Sequence, residues 1–230
     1  MASKRFKEAL KLVEGKKAYP LTQAVDVLKK FPRTKFDESV DLAFKLSVDP
    51  KQSDQMVRGT VPLPHGSGKK VRILVFAEGT QAEAAKAAGA EHVGYKDIIT
   101  KIKGGWFDFD IAIATPDTMQ EVRKLGKELG PKGLMPNPKT GTVTEDLAKA
   151  VNEFKAGRVE FKMDKSANLH VSIAKASFEA GQIKDNARAV IEAVLKARPA
   201  SAKGTYLTTC TLSTTMSPGV RIDTREFLAA

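Results

Sequence analysis

Hydrophobic positions along this chain follow two different rhythms. Val40, Leu42, Phe44, Leu46 and Val48 alternate with Asp41, Ala43, Lys45 and Ser47, a period of two that predicts a strand with one face buried against helices and the other in water. Ahead of it, Phe6, Leu10 and Val13 fall on one face of a first short helix. Ala24, Val25, Leu28 and Phe31 fall on one face of a second, with Thr22 placed as its N-cap. A strand over residues 58–63 ends at Pro62 or lies at a sheet edge. Past residue 157 the alternation returns. Val159, Phe161 and Met163 share a face, a turn over 164–168 reverses the chain, and Leu169, Val171 and Ile173 share the next, which predicts a hairpin. A helix over 178–198 stops at Pro199, and a Thr-rich strand over 205–215 ends at Ser217-Pro218-Gly219.

The middle of the chain is different. Residues 71–77 and 109–114 are almost continuously apolar, as strands buried on both faces are, and helical stretches over 80–88, 117–129 and 145–155 alternate with them. The expected fold class is α/β with two domains. An antiparallel α/β outer domain is built from both termini, residues 1–66 and 158–230. A parallel α/β domain, residues 67–157, is inserted into it and is Rossmann-like without a dinucleotide motif. Gly66, Ser67, Gly68 and Gly157 mark the crossings and are the candidate hinge residues.

With 230 residues, 42% of them hydrophobic, the chain can bury two cores. No apolar run reaches the roughly 18 residues a membrane span needs, and the charged start lacks a signal-like apolar region, so a cytoplasmic location is expected. The single cysteine, Cys210, leaves no internal disulfide and reads as an inert sheet residue. A net charge of +11 attracts polyanions without choosing between RNA, DNA and an anionic membrane. Its distribution is uneven. Residues 67–157 hold fourteen Lys or Arg against twelve Asp or Glu, so +9 of the surplus lies in the outer segments.

Catalytic and cofactor chemistry finds little support. Gly66-Ser67-Gly68-Lys69-Lys70 resembles the end of a phosphate-binding loop, but Lys70 stands where a magnesium-binding hydroxyl belongs and a strand follows where a helix is required. Ala77-Glu78-Gly79-Thr80 is not a dinucleotide turn. His65, His92 and His170 lack neighbours at metal spacing, Asp108 and Asp110 read as solvated carboxylates at a strand entrance, and no Ser sits in a nucleophile elbow. No catalytic residue, metal ligand or cofactor is assigned.

Two features suit RNA. Lys29, Lys30, Arg33, Lys35 and Phe36 put an aromatic ring beside cations, useful for phosphate contact next to packing on sugar or base; a solvated helix end would look similar. The hydroxyls between Thr208 and Thr215 can exchange hydrogen bonds with ribose 2′-OH groups, or simply line an edge strand. An aromatic content of 7% argues against stacking several unpaired bases and for reading a folded RNA by shape and backbone.

The Pro/Gly-rich loop over residues 130–143 is too long for an ordinary connector. It closely resembles the signature loop of the large-subunit ribosomal protein L-one family, whose bacterial members hold the mobile stalk. Lys35-Phe36-Asp37-Glu38, Ser53-Asp54-Gln55, Val57-Arg58-Gly59-Thr60 and Thr214-Thr215-Met216 with Pro218 resemble it as well. The resemblance implies an outer domain bound to large-subunit ribosomal RNA and a mobile insert. It also implies contact with exit-site tRNA and repression through the protein's own operon messenger RNA. The protein would be a monomer when free, and ribosome-bound in the cytoplasm. By motif position the RNA contacts would be Lys35, Phe36, Thr209, Thr214, Thr215, Met216 and Ser217, with Lys165. Ser217 stands where the family usually has Gly, which would weaken the local fit modestly if that position needs a positive φ or close backbone approach to RNA. The alternative from another class is an α/β enzyme whose middle domain binds a phosphorylated small molecule.

Overall fold

The computed structural model describes residues 3–14 and 17–228. Helices α1 (Lys4–Lys11) and α2 (Leu21–Lys29) lead into strands β1 (Ser39–Leu46) and β2 (Arg58–Pro62). Next come β3 (Ile73–Phe76), α3 (Thr80–Ala87), β4 (His92–Gly94), α4 (Lys96–Lys103) and β5 (Ile111–Ala114). Short helices α5 (Met119–Val122) and α6 (Gly126–Leu129), joined by a 3₁₀ turn, precede α7 (Leu147–Lys155). The chain ends with β6 (Arg158–Lys162), β7 (Asn168–Lys175), α8 (Ala180–Lys196), β8 (Leu207–Thr214), β9 (Val220–Ile222) and α9 (Arg225–Leu228). Backbone contacts divide it into an outer unit, Met1–Lys69 with Gly157–Ala230, and an inner unit, Lys70–Ala156.

In the outer unit, four antiparallel strands run in the order β7-β1-β8-β9. The alternation along β1 decides which face is dry. Val40, Leu42, Phe44 and Leu46 point into a core shared with α2 and α8, where Leu28, Ile183, Val190 and Ile191 meet them. Cys210 lies in that core, and burial pushes its thiol up to about 12, so it is an inert sheet residue as its context suggested.

Several local expectations give way. Leu10 is exposed and Ala9 is the buried residue of α1, because so short a helix covers little with its apolar stripe. Helix α2 starts at Leu21 after Pro20, with Thr22 inside it. The carboxylate that accepts the Leu21 N–H comes from Glu226, on α9. The turn after β6 forms, closed by the Asp164 carboxylate on the Ser166 and Asn168 amides. The strands it joins do not form a ladder with each other: β7 pairs with β1, while β6 pairs with β2 in a separate two-stranded sheet.

The inner unit is a parallel sheet of order β4-β3-β5. Its middle strand is dry on both faces, as its unbroken apolar run requires. Leu74 and Phe76 pack with α4, α5 and α6, and Ile73 and Val75 with α3 and α7. The helix expected over 117–129 is broken by the 3₁₀ turn Arg123–Leu125. The 130–143 loop closes on itself. Asn137 accepts from the hydroxyls of buried Thr140 and Thr142 at 3.0 and 3.1 Å, and Val143 bridges to Ala114 alongside β5. Asp108 and Asp110, expected to be merely solvated, both pair with Arg72.

Candidate nucleic-acid interface

Placing the outer boundary at Lys69 gives the outer unit a formal +10 and the inner unit +1. Within the outer unit, the expected contact residues do not form one patch. They gather at the two ends of β1, about 20 Å apart at roughly 3.4 Å per residue.

At the first end stand Lys35, Phe36, Thr214, Thr215, Met216 and Ser217. Lys35 is exposed, and Phe36 and Met216 are large apolar side chains with 54% and 51% of their surface in solvent. Local bonds fix the Phe36 loop: the Thr34 hydroxyl donates to the Phe36 carbonyl at 2.7 Å, and Asp37 accepts from both the amide and the hydroxyl of Ser177. Thr214 is turned inward. It pairs with Val40 on the core face and is buried, so it does not offer its hydroxyl to a ligand. The Thr215 hydroxyl accepts from the Ser39 N–H at 3.0 Å, which gives it a job in the fold as well. Ser217 has no positive φ, since Ala167 is the one such non-glycine among the described residues. Its hydroxyl instead accepts the Thr214 N–H at 2.9 Å and closes the turn, so no positive φ is needed there.

Glu38 lies beneath this end, 6% exposed. Burial alone would raise its carboxyl. Hydrogen bonds from Thr214, Thr34 and the Met216 amide, with Arg5 nearby, outweigh that and hold it below the usual glutamate value. Lys29, read from sequence as a phosphate ligand, is occupied: its ammonium donates to the Ala176 carbonyl at 2.8 Å and to that of Phe178.

At the second end are Thr209, paired with Lys45, and Lys165, exposed on the turn after β6. Lys45 donates to the Ser166 carbonyl and so ties that turn to β1.

The open sheet face connects the two ends. Residues opposite one another in a ladder share a face, so the registers Asp41↔Ser213, Ala43↔Thr211 and Lys45↔Thr209, with Ala43↔His170 and Thr211↔Arg221, assemble a floor of small and polar side chains that carries the cations Lys45 and Arg221 and one carboxylate, Asp41. None of these is buried. Sequence reading found the Thr-rich strand but not this floor, because it takes four strands from distant parts of the chain. His170 was legible only as the polar half of an alternation, and Arg221, in a strand of three residues, not at all.

Among the described residues, no cluster of three His, Cys, Asp or Glu could hold a metal. No helix there is long and apolar enough to cross a membrane. A polar, hydroxyl-rich sheet face with exposed cations at both ends, on the more basic of two α/β units, is consistent with the class of nucleic-acid-binding proteins. The sequence profile of the Ribosomal protein L1p/L10e family matches residues 28–218, and the chain belongs to that family. The family is one of structural proteins of the large ribosomal subunit that bind ribosomal RNA, and not of enzymes.

Proposed function

We propose that the outer unit binds large-subunit ribosomal RNA across the open face of its four-stranded sheet, with both ends of β1 as anchoring points. One observation carries this reading: exposed cations stand at both ends of one polar floor, and the exposed apolar side chains Phe36 and Met216 stand at the first of them. In this reading Lys35, Phe36, Met216 and Ser217 line one end, Thr209 and Lys165 mark the other, and Thr214 and Thr215 support the first from within the fold. The inner unit, joined through Gly66, Ser67, Gly68 and Gly157, moves relative to the outer one, so that the protein positions the stalk and assists release of exit-site tRNA. The same interface binds a similar fold in the protein's own operon messenger and represses its translation.

Phe36 and Met216 provide the test. Both are exposed, so truncation leaves the fold nearly unchanged. A ring packed on a base or sugar contributes about 1–3 kcal/mol, so Phe36→Ala is expected to weaken binding of a ribosomal RNA fragment by about 5- to 150-fold in a filter assay, with an unaltered melting curve. Met216→Ala should follow in the same direction with a smaller effect. If both variants bind like the parent, the first end of β1 is not an RNA contact.

A further inference from the structure

Glu38 is out of place. It is a carboxylate sunk into the most basic unit of the protein, beside the segment read as an RNA contact, where a free negative charge would repel phosphate. Burying an ionised group costs several kcal/mol unless partners replace water. Its partners come from separate parts of the chain. The Met216 amide donates to Oε2 at 3.2 Å, and the Arg5 guanidinium lies 3.8 Å from Oε1. The Glu38 carbonyl accepts the Ala176 N–H at 2.7 Å. One residue thus joins α1, the loop carrying Phe36, the end of β7 and the turn carrying Met216.

The backbone bond to Ala176 continues the β1–β7 register one residue past Ser39↔Lys175, whereas the carboxylate's own bonds extend neither the hydrophobic core nor a ladder. What they fix is the placement of two exposed apolar side chains. Phe36 stands two residues before Glu38, on a loop already tied down through Asp37, and Met216 hangs from the amide that the carboxylate holds. We infer that Glu38 is a positioning residue: its carboxylate sets the Met216 turn against the Phe36 loop and draws Arg5 over itself, so that the negative charge is covered and the contact surface is formed before RNA arrives. Such preorganisation spares a ligand the cost of ordering the turn. The inference rests on the RNA-binding reading of this end of β1.

Two variants of the full chain separate a positioning role from a merely structural one. Glu38→Ala removes the acceptor, and Glu38→Gln keeps an acceptor of the same shape without the charge. For Glu38→Ala the expected result is Met216 amide exchange at least about tenfold faster, with the β1 and β8 amides still protected. Affinity for the ribosomal RNA fragment should fall by about 30-fold, the cost of ordering the turn on binding, and the salt dependence should stay the same. Glu38→Gln should keep Met216 protected and lose only about threefold in affinity. The inference is overturned if a folded Glu38→Ala chain binds like the parent, or if affinity falls while Met216 stays protected. It is also overturned if protection is lost throughout the sheet. Should Glu38→Ala not fold, a 30-fold loss in Glu38→Gln with Met216 still protected would overturn it equally. A parent chain that fails to bind the fragment at all overturns the RNA reading instead, while the exchange of the Met216 amide still reports whether Glu38 holds the turn.

Discussion

Replacing Asn186 by leucine is expected to cost about 3 kcal/mol of stability, although the side chain has nearly the same size and sits on the apolar face of α8. Asn186 is fully buried. Its Oδ1 accepts the His65 N–H at 3.1 Å, and its Nδ2 donates to the Gly66 and Ile173 carbonyls at 2.9 and 2.8 Å. Leucine leaves three backbone groups without partners, each costing about 1–3 kcal/mol when water cannot reach it, partly offset by the extra apolar contact. Urea unfolding followed by far-UV circular dichroism checks this, and a loss under about 1 kcal/mol would mean that water or a local shift satisfies those groups. The consequence extends to the crossing between the units. Because Asn186 grips His65 and Gly66, the proposed hinge on this side would begin after Gly66.

Gly157→Ala is expected to be at least as damaging, about 3 kcal/mol or more, for a purely steric reason. Gly157 has φ +104, where side chains are rarely tolerated, and an added Cβ would lie 2.4 Å from the Gly66 Cα and 2.8 Å from the Ser67 nitrogen. The obstacle is backbone and cannot swing aside. A melt of the variant should show an early transition, and an unchanged one would show that the crossing relaxes freely. Asn186 and Gly157 both act on Gly66, so the double variant should cost less than the sum of the singles.

Those residues also show what was legible in the sequence. The period of two in β1 and the unbroken apolar runs of β3 and β5 report the two sheets directly, since the face a residue occupies is set by its own strand. Partnership between strands is not local. Hence β6 and β7 looked like a hairpin although each pairs elsewhere, and β4 and β9, three residues apiece, were missed because so short a strand carries no period. Buried polar residues were hardest to find. Glu38 precedes the strand alternation as any solvated residue would. Asn186 did leave a trace, a polar residue in the stripe Ile183, Ala187, Val190, Ile191 and Val194 at helical spacing. Phe36 was readable as an aromatic ring beside a basic stretch, though a core Phe would look similar, while Met216 came from the resemblance alone, since a lone methionine looks like a core residue until the fold is known.

The central claim is that the outer unit holds the RNA by its own surface. Because Gly66 and Gly157 lie against each other, residues 1–66 can be joined directly to 158–230, and circular dichroism first establishes that this chain folds. Filter binding of the ribosomal RNA fragment over a range of salt then gives the decisive number. Nearly full affinity is expected, with a steep linear fall of log K with log salt, at roughly 0.7 to 0.9 per phosphate neutralised, and the slope reduced by about one on Lys165→Ala. Weak binding or a flat salt response from the folded outer unit, with the affinity residing in residues 67–157, would contradict it.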